Sequence, residues 1–186
     1  GRDCPLRVTA KDGMTDVSVK AGLQAVPAGT ERAPFSLGTL DVRVHIGDIR
    51  LILFGFLATL AVALPIGYGT GFLVSPAAQW QQGLERLLSF DALVDIPQIV
   101  LFEEILFRAL LFGGLYNRLG LGPAVAASAC IFGVLHLIQF PYPMAVMATW
   151  AGVVFALQYA RTRRLSTPMI THALIVAVQF FVLPME

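Results

Sequence analysis

Five long apolar runs between residues 50 and 184 leave this chain few ways to fold. They are RLILFGFLATLAVALPIGYGTGFLV (50–74), LVDIPQIVLFEEILFRALLFGGLY (93–116), LGPAVAASACIFGVLHLIQF (121–140), YPMAVMATWAGVVFALQYA (142–160) and STPMITHALIVAVQFFVLP (166–184). A hydrocarbon layer about 30 Å thick takes about 20 helical residues to cross, and lipid offers no partner to an open strand edge. Each run is therefore expected to be a helical span. Between the first two, AAQWQQGLERLLSF (77–90) reads as an amphipathic helix lying at the interface. The expected fold is all-α, a polytopic transmembrane helical bundle of about five spans plus this interfacial helix.

Composition agrees. Of 186 residues, 56% are hydrophobic and 13% charged, against about 25% charged in soluble domains. The mean hydropathy is +0.73. Seven of the 13 Lys and Arg and six of the 12 Asp and Glu fall within residues 1–50. This divides the chain into a polar N-terminal tail, 1–48, expected to be disordered, and a membrane domain, 49–186. The opening GRDCPLRVTAKDGM has no starting Met, so the sequence is expected to be a fragment, or an upstream extension with Met14 as the natural start. No signal-peptide core precedes residue 51. A net charge of +1, with no basic stripe, phosphate-cradling loop or nucleic-acid motif, points away from nucleic acid as a partner. Cys4 and Cys130 are too few for a disulfide framework or a CxxC metal site.

Pro76, Gly120, Gly122, Pro141 and Pro143 punctuate the connections. Pro65 is expected to kink the first run, and Gly67 with Gly71 to make a GxxxG packing face on it. Arginines set the orientation. Arg43, Arg50, Arg118, Arg161, Arg163 and Arg164 fall on one side of an alternating five-span chain, and Arg86 alone on the other. The N-terminus and the last interhelical loop are thus expected in the cytosol.

The second run carries the anomaly. LFEEILFRALLF puts Glu103, Glu104 and Arg108 within six residues of an apolar span. One ionised group near the bilayer centre costs roughly 2.5–3.5 kcal/mol on insertion scales, so compensation is required. Glu104 and Arg108 are i,i+4 with Glu first, the favoured helical ion pair. Glu103 lies about 100° around the helix and is the carboxylate left over, available as a base. A salt-bridged packing cluster and a proton or ion path are the competing explanations. Two of the three histidines also fall in spans. His136 shares a helix face with Phe132 in FGVLH, and His172 lies in THALIV. A lone histidine on an apolar face is usually a core residue. Three spans each carrying one such feature can instead hold and deprotonate a water.

EEILFR, FGVLH and THALIV, in that order and spacing, resemble the three motifs of the CAAX prenyl protease and bacteriocin-processing family, the type II CAAX protease-like intramembrane peptidases. The resemblance covers about residues 93–180. It implies that Glu103 activates a water, that Glu104 and Arg108 support it, and that His136 and His172 complete the site. It implies the bilayer and a peptide or protein substrate as partners, and bacterial members act on substrates that are not prenylated. One position departs. The family's third motif carries Asn or a similar residue four places after its histidine, where this chain has Val176; Thr171, Gln139 and Gln179 are the polar residues that could substitute. No cofactor is expected. HExxH is absent, but Glu103, His136 and His172 could form a His₂Glu zinc set. An inactive scaffold, such as an immunity or partner-binding protein, and a small proton-coupled transporter are the alternative functions.

Overall fold

The computed structural model describes residues 41–183. Their regular structure is helical, apart from one isolated bridge pairing Asp41 with Arg164. Helix α1 is Ile49–Gly69, α2 is Trp80–Leu87 and α3 is Phe90–Glu104. A π-helical stretch, Ile105–Phe112, joins α3 to α4, Gly113–Leu119. Helix α5 is Leu121–His136, α6 is Tyr142–Thr162 and α7 is Ser166–Val182. Most of the expected tail, with its proposed start at Met14 and with Cys4, lies outside the described residues.

Helix α6 is the axis of the bundle and packs against α1, α5 and α7. Its sequence makes that possible. Ala148, Gly152, Ala156 and Ala160 recur every fourth residue and are all buried. On α5, Val125, Ala129 and Gly133 form the matching stripe. Small residues at this spacing let backbones approach closely, which drives helix pairing where no hydrophobic force separates helix from lipid. A Cβ on Gly152 would stand 3.0 Å from Ala129 Cα. One on Gly133 would collide with the Thr149 hydroxyl and stand 2.7 Å from the Ala145 carbonyl oxygen. The expected GxxxG face on α1 does not form. Gly71 lies beyond the helix with φ 71°, and the open side of Gly67 is filled by Leu73.

Helix α1 faces outward along most of its length, exposing Leu53, Phe54 and Leu57. Hydrogen bonds hold it to α6. Trp150 Nε1 donates to the Ala58 carbonyl at 2.9 Å and Gln158 Nε2 to the Leu51 carbonyl at 2.8 Å. Gly55 is needed where Gln158 crosses, since a Cβ there would meet its side-chain amide. The interfacial helix is short. Gly83 of α2 seats against the Phe180 carbonyl, and Trp80 lies 4.9 Å from the Phe181 ring.

Among the described residues two helices, Ile46–Gly69 (counting the 3₁₀ turn before α1) and Tyr142–Thr162, are long and apolar enough to cross a bilayer. The five expected runs therefore do not all become full-length apolar helices. Helix α5 has 16 residues and α7 has 17, about 24–26 Å at 1.5 Å per residue. The continuous helix from Phe90 to Leu119 is long enough, but Asp91, Asp95, Glu103, Glu104, Arg108 and Arg118 interrupt its apolar character. The chain forms an all-α membrane bundle.

The arginine-rich ends converge. Arg164 Nη1 sits 3.0 Å from Asp48 Oδ2 and its Nε 3.4 Å from Asp41 Oδ2. Ser166 Oγ donates to the Arg43 carbonyl at 2.8 Å, and the Arg163 guanidinium lies 5.1 Å over the Tyr116 ring. The Arg43 backbone N–H bound to Asp41, with Arg164 beside it, holds the Asp41 carboxyl below the usual carboxylate range. Residues 41–48, the end of α4 and the α6–α7 loop thus share one side.

Replacing Gly133 by Leu is expected to cost about 1–3 kcal/mol through overpacking of the α5–α6 seam. Thermal unfolding in detergent will show a lowered midpoint, while Gly114→Leu, where a Cβ meets nothing within 4 Å, leaves it nearly unchanged.

Candidate active site

The change from α to π winding falls at the glutamates. Ile105 N–H still reaches Leu101 O, whereas Gly113 N–H reaches Arg108 O, five residues back. Such wide turns concentrate at functional sites. Here the π stretch starts one residue after Glu104 and includes Arg108, and both side chains are 0% exposed. Arg108 Nε lies 3.0 Å from Glu104 Oε2. This is an ion pair by distance, but the N–H is not aligned for a hydrogen bond. The two terminal nitrogens of Arg108 have no hydrogen-bond acceptor among the described residues. The guanidinium lies instead between two aromatic faces, 5.0 Å from the Phe132 centroid and 5.3 Å from that of Phe155. Cation–π attraction strengthens when the cation is desolvated, and guanidinium is the cation that stacks this way.

Glu104 is engaged twice. Its second oxygen, Oε1, is 3.0 Å from His172 Nδ1, so a chain Arg108–Glu104–His172 joins the π stretch to α7. Phe155 stacks on the His172 ring at 4.9 Å. The other imidazole nitrogen, Nε2, points toward Glu103 Oε2 at 3.7 Å. Glu103 is the carboxylate that reaches open space, with its side chain 25% exposed.

His136 ends α5. Its Nδ1 is 2.8 Å from the Phe132 carbonyl oxygen. A carbonyl only accepts, so Nδ1 carries the hydrogen and Nε2 of the neutral ring is left with its lone pair. The Phe132 ring stands 4.7 Å from His136 and 6.0 Å from His172, and forms the partition between them. His136 and His172 fall toward opposite ends of their spans in the sequence. They come to one cavity wall because α5 stops at His136.

Two cavities meet at this partition. A cleft of about 650 Å³ between α3, the π stretch and α5 is lined by Glu103, His136, Gln98, Gln139 and apolar side chains. An apolar cavity of about 60 Å³ among α1, α6 and α7 has His136 and His172 in its wall. Of the polar residues that could stand in for Val176, Gln139 faces the cleft and Gln179 the apolar cavity. Thr171 is turned away, donating to the Thr167 carbonyl and accepting from Gln158. Val176 lines a separate recess with Ile99, Val100 and Phe180. Among the described residues no three His, Cys, Asp or Glu side chains converge closely enough to hold a metal ion. Phe155 and the π turn escape sequence reasoning, since a phenylalanine in an apolar run and a change of helical winding leave no local signature. The FxxxH spacing did mark Phe132.

A family model for type II CAAX prenyl endopeptidase Rce1-like proteins matches residues 86–178. The chain belongs to this family. The match takes in Glu103, Glu104, Arg108, His136 and His172, and bears out the resemblance read from the three motifs. A Bacillus subtilis (strain 168) protein, "Putative membrane peptidase YdiL", is 35% identical over 91 residues, 48% of this chain. That stretch covers 36% of the relative's own length. No solved structure matches the chain. Family membership and the apolar helices make this an integral membrane protein.

The buried pair yields a sharp expectation. Arg108→Leu or Glu104→Leu alone leaves an uncompensated buried charge and is expected to cost about 3–5 kcal/mol, while the double variant recovers most of that loss. Melting of the purified variants in detergent measures it. Additive losses in the double variant would show that the two side chains are not coupled.

Proposed function

We propose that the protein is an intramembrane endopeptidase in which Glu103 activates water. The carrying observation is the difference between two adjacent carboxylates. Glu104 is sealed and held by Arg108 and His172, whereas Glu103 opens into the cleft that His136 also lines. A water between Glu103 and His136 gives its proton to the Glu103 carboxylate as its oxygen attacks the peptide carbonyl carbon. The His136 Nε2 lone pair accepts the water's second hydrogen bond and fixes the direction of attack. His172, held by Glu104, stands beside Glu103 and restricts its rotamer. When the C–N bond breaks, the proton on Glu103 passes to the leaving amine, and the acid and amine products together contain the elements of one water.

Family membership supports this reading at the level of reaction class, and the cleft geometry supports the division of roles. The mechanism uses protein side chains alone, without a metal. The substrate is a peptide segment that reaches the cleft through a rim carrying Ile99, Phe102 and Leu135, all exposed, as suits a chain arriving from the lipid. The arginine-rich side, with Asp41–Asp48, faces the cytosol of a bacterial cell.

Comparing protein termini in membranes of cells carrying wild type or Glu103→Gln tests the function. Termini present only with wild type are expected. Identical termini at equal protein abundance would sink the peptidase reading and favour an inactive scaffold. His136→Ala is expected to reduce those termini at least a hundredfold. Prolonged chelation is expected to leave cleavage unchanged; loss that zinc restores would replace the metal-free mechanism.

A further inference from the structure

The two helices long and apolar enough to cross a bilayer share one end of the bundle, where the first starts at Ile46 and the second stops at Thr162. That end is fixed by bonds between distant parts of the chain. Leu165 N–H donates to the Asp41 carbonyl at 2.9 Å, Ser166 Oγ to the Arg43 carbonyl at 2.8 Å and Gln158 Nε2 to the Leu51 carbonyl at 2.8 Å. The chain turns sharply at Arg163, φ 58°, whose guanidinium over Tyr116 ties the α6–α7 loop to the end of α4. Residues 41–51, the end of α4 and the α6–α7 loop therefore make one surface.

Its charge is lopsided. Arg43, Arg50, Arg118, Arg161, Arg163 and Arg164 stand against Asp41 and Asp48, six positive groups against two negative, a net +4 among the described residues. One arginine engages both aspartates: Arg164 reaches Asp48 Oδ2 at 3.0 Å and Asp41 Oδ2 at 3.4 Å. Arg43, Arg50, Arg118 and Arg161 are exposed and form no ion pair among the described residues. The excess is local. Around α2 and the start of α3, at the opposite end, Arg86 stands against Glu85, Asp91 and Asp95, one positive group against three negative.

Apolar side chains stand among these cations. Val42 is 56% exposed, Val44 58% and Ile46 88%, although the backbone carrying them is bonded at Asp41, Arg43 and Asp48. A fixed surface that presents cations and apolar groups together matches a ligand with an anionic head and an apolar body. A free phosphate would use the cations alone and leave the apolar groups in water. Guanidinium groups hold phosphate oxygens through parallel N–H donors.

We infer that this surface binds anionic phospholipid, with Arg43, Arg50, Arg118 and Arg161 holding the phosphodiester headgroup and Val42, Val44 and Ile46 meeting the apolar layer beneath it. The surface shares no residue with the cleft or the apolar cavity, so the inference stands apart from the peptidase reading.

The test uses the full chain in nanodiscs of equimolar phosphatidylglycerol and phosphatidylcholine. Lipid retained after transfer to detergent is counted by native mass spectrometry. Wild type is expected to keep phosphatidylglycerol over phosphatidylcholine by at least about tenfold. The combined variant Arg43→Gln, Arg50→Gln, Arg118→Gln, Arg161→Gln is expected to lose that preference, with an unchanged melting midpoint in pure phosphatidylcholine. Arg86→Gln, at the opposite end, is expected to keep it. Should the combined variant fail to fold, Arg118→Gln and Arg161→Gln alone are each expected to lower the preference, and no change in either overturns the inference. No preference in wild type, a preference kept by the folded combined variant, or an equal loss in Arg86→Gln also overturns it. So does displacement of the retained lipid by inorganic phosphate at matched ionic strength, which would mark a site for free phosphate.

Discussion

The Glu104–Arg108 ion pair is the constraint around which the bundle is arranged. Both side chains are 0% exposed inside the helical bundle, and a buried charge is tolerated only when paired and further satisfied. The protein meets that demand from three directions. The wide π turn carries Arg108 in the segment just after Glu104. Phe132 from α5 and Phe155 from α6 cover the guanidinium faces. His172 from α7 takes the second carboxylate oxygen. Helices α5, α6 and α7 are therefore tied to one charged centre, and the small-residue seam of α5 and α6 brings them near enough to reach it.

The same arrangement separates two neighbouring carboxylates by environment, which is what the proposed function draws on. A step of about 100° around the helix is enough to send Glu104 into the bundle and Glu103 into the cleft. His172 connects them, bonded to Glu104 through Nδ1 and facing Glu103 through Nε2 at 3.7 Å. Under the proposed function this is a rigid pair supporting a reactive neighbour, the arrangement in which supporting groups fix the geometry of those that react.

Much of this was legible in the residues. Rare ionisable groups in apolar runs stand out because lipid makes them costly, so Glu103, Glu104, Arg108, His136 and His172 were identifiable one by one. The i,i+4 spacing named the Glu104–Arg108 pair, and a step of one residue left Glu103 unpaired. The arginine count put residues 41–48 and the α6–α7 loop on one side, and the Arg164–Asp48 contact joins them there. Helix packing was harder to read. Gly67 and Gly71 offered the obvious motif, but the chain leaves the helix before Gly71, and alanines supply most of the α6 seam. Alanine is common in any apolar run and carries little signal alone. Span length was also obscured, because the run 121–140 is apolar throughout while its helix stops at His136. That early stop brings two histidines from opposite ends of their spans to one partition.

The division of labour between Glu103 and Glu104 is the central claim, and one paired measurement addresses it. Glu103→Gln and Glu104→Gln, reconstituted side by side, are compared for melting midpoint and for hydrolysis of the same bond. The account predicts that Glu103→Gln melts like wild type and cuts nothing, and that Glu104→Gln melts well below it. Hydrolysis by Glu103→Gln at the wild-type rate, or an unchanged midpoint in Glu104→Gln, would contradict it.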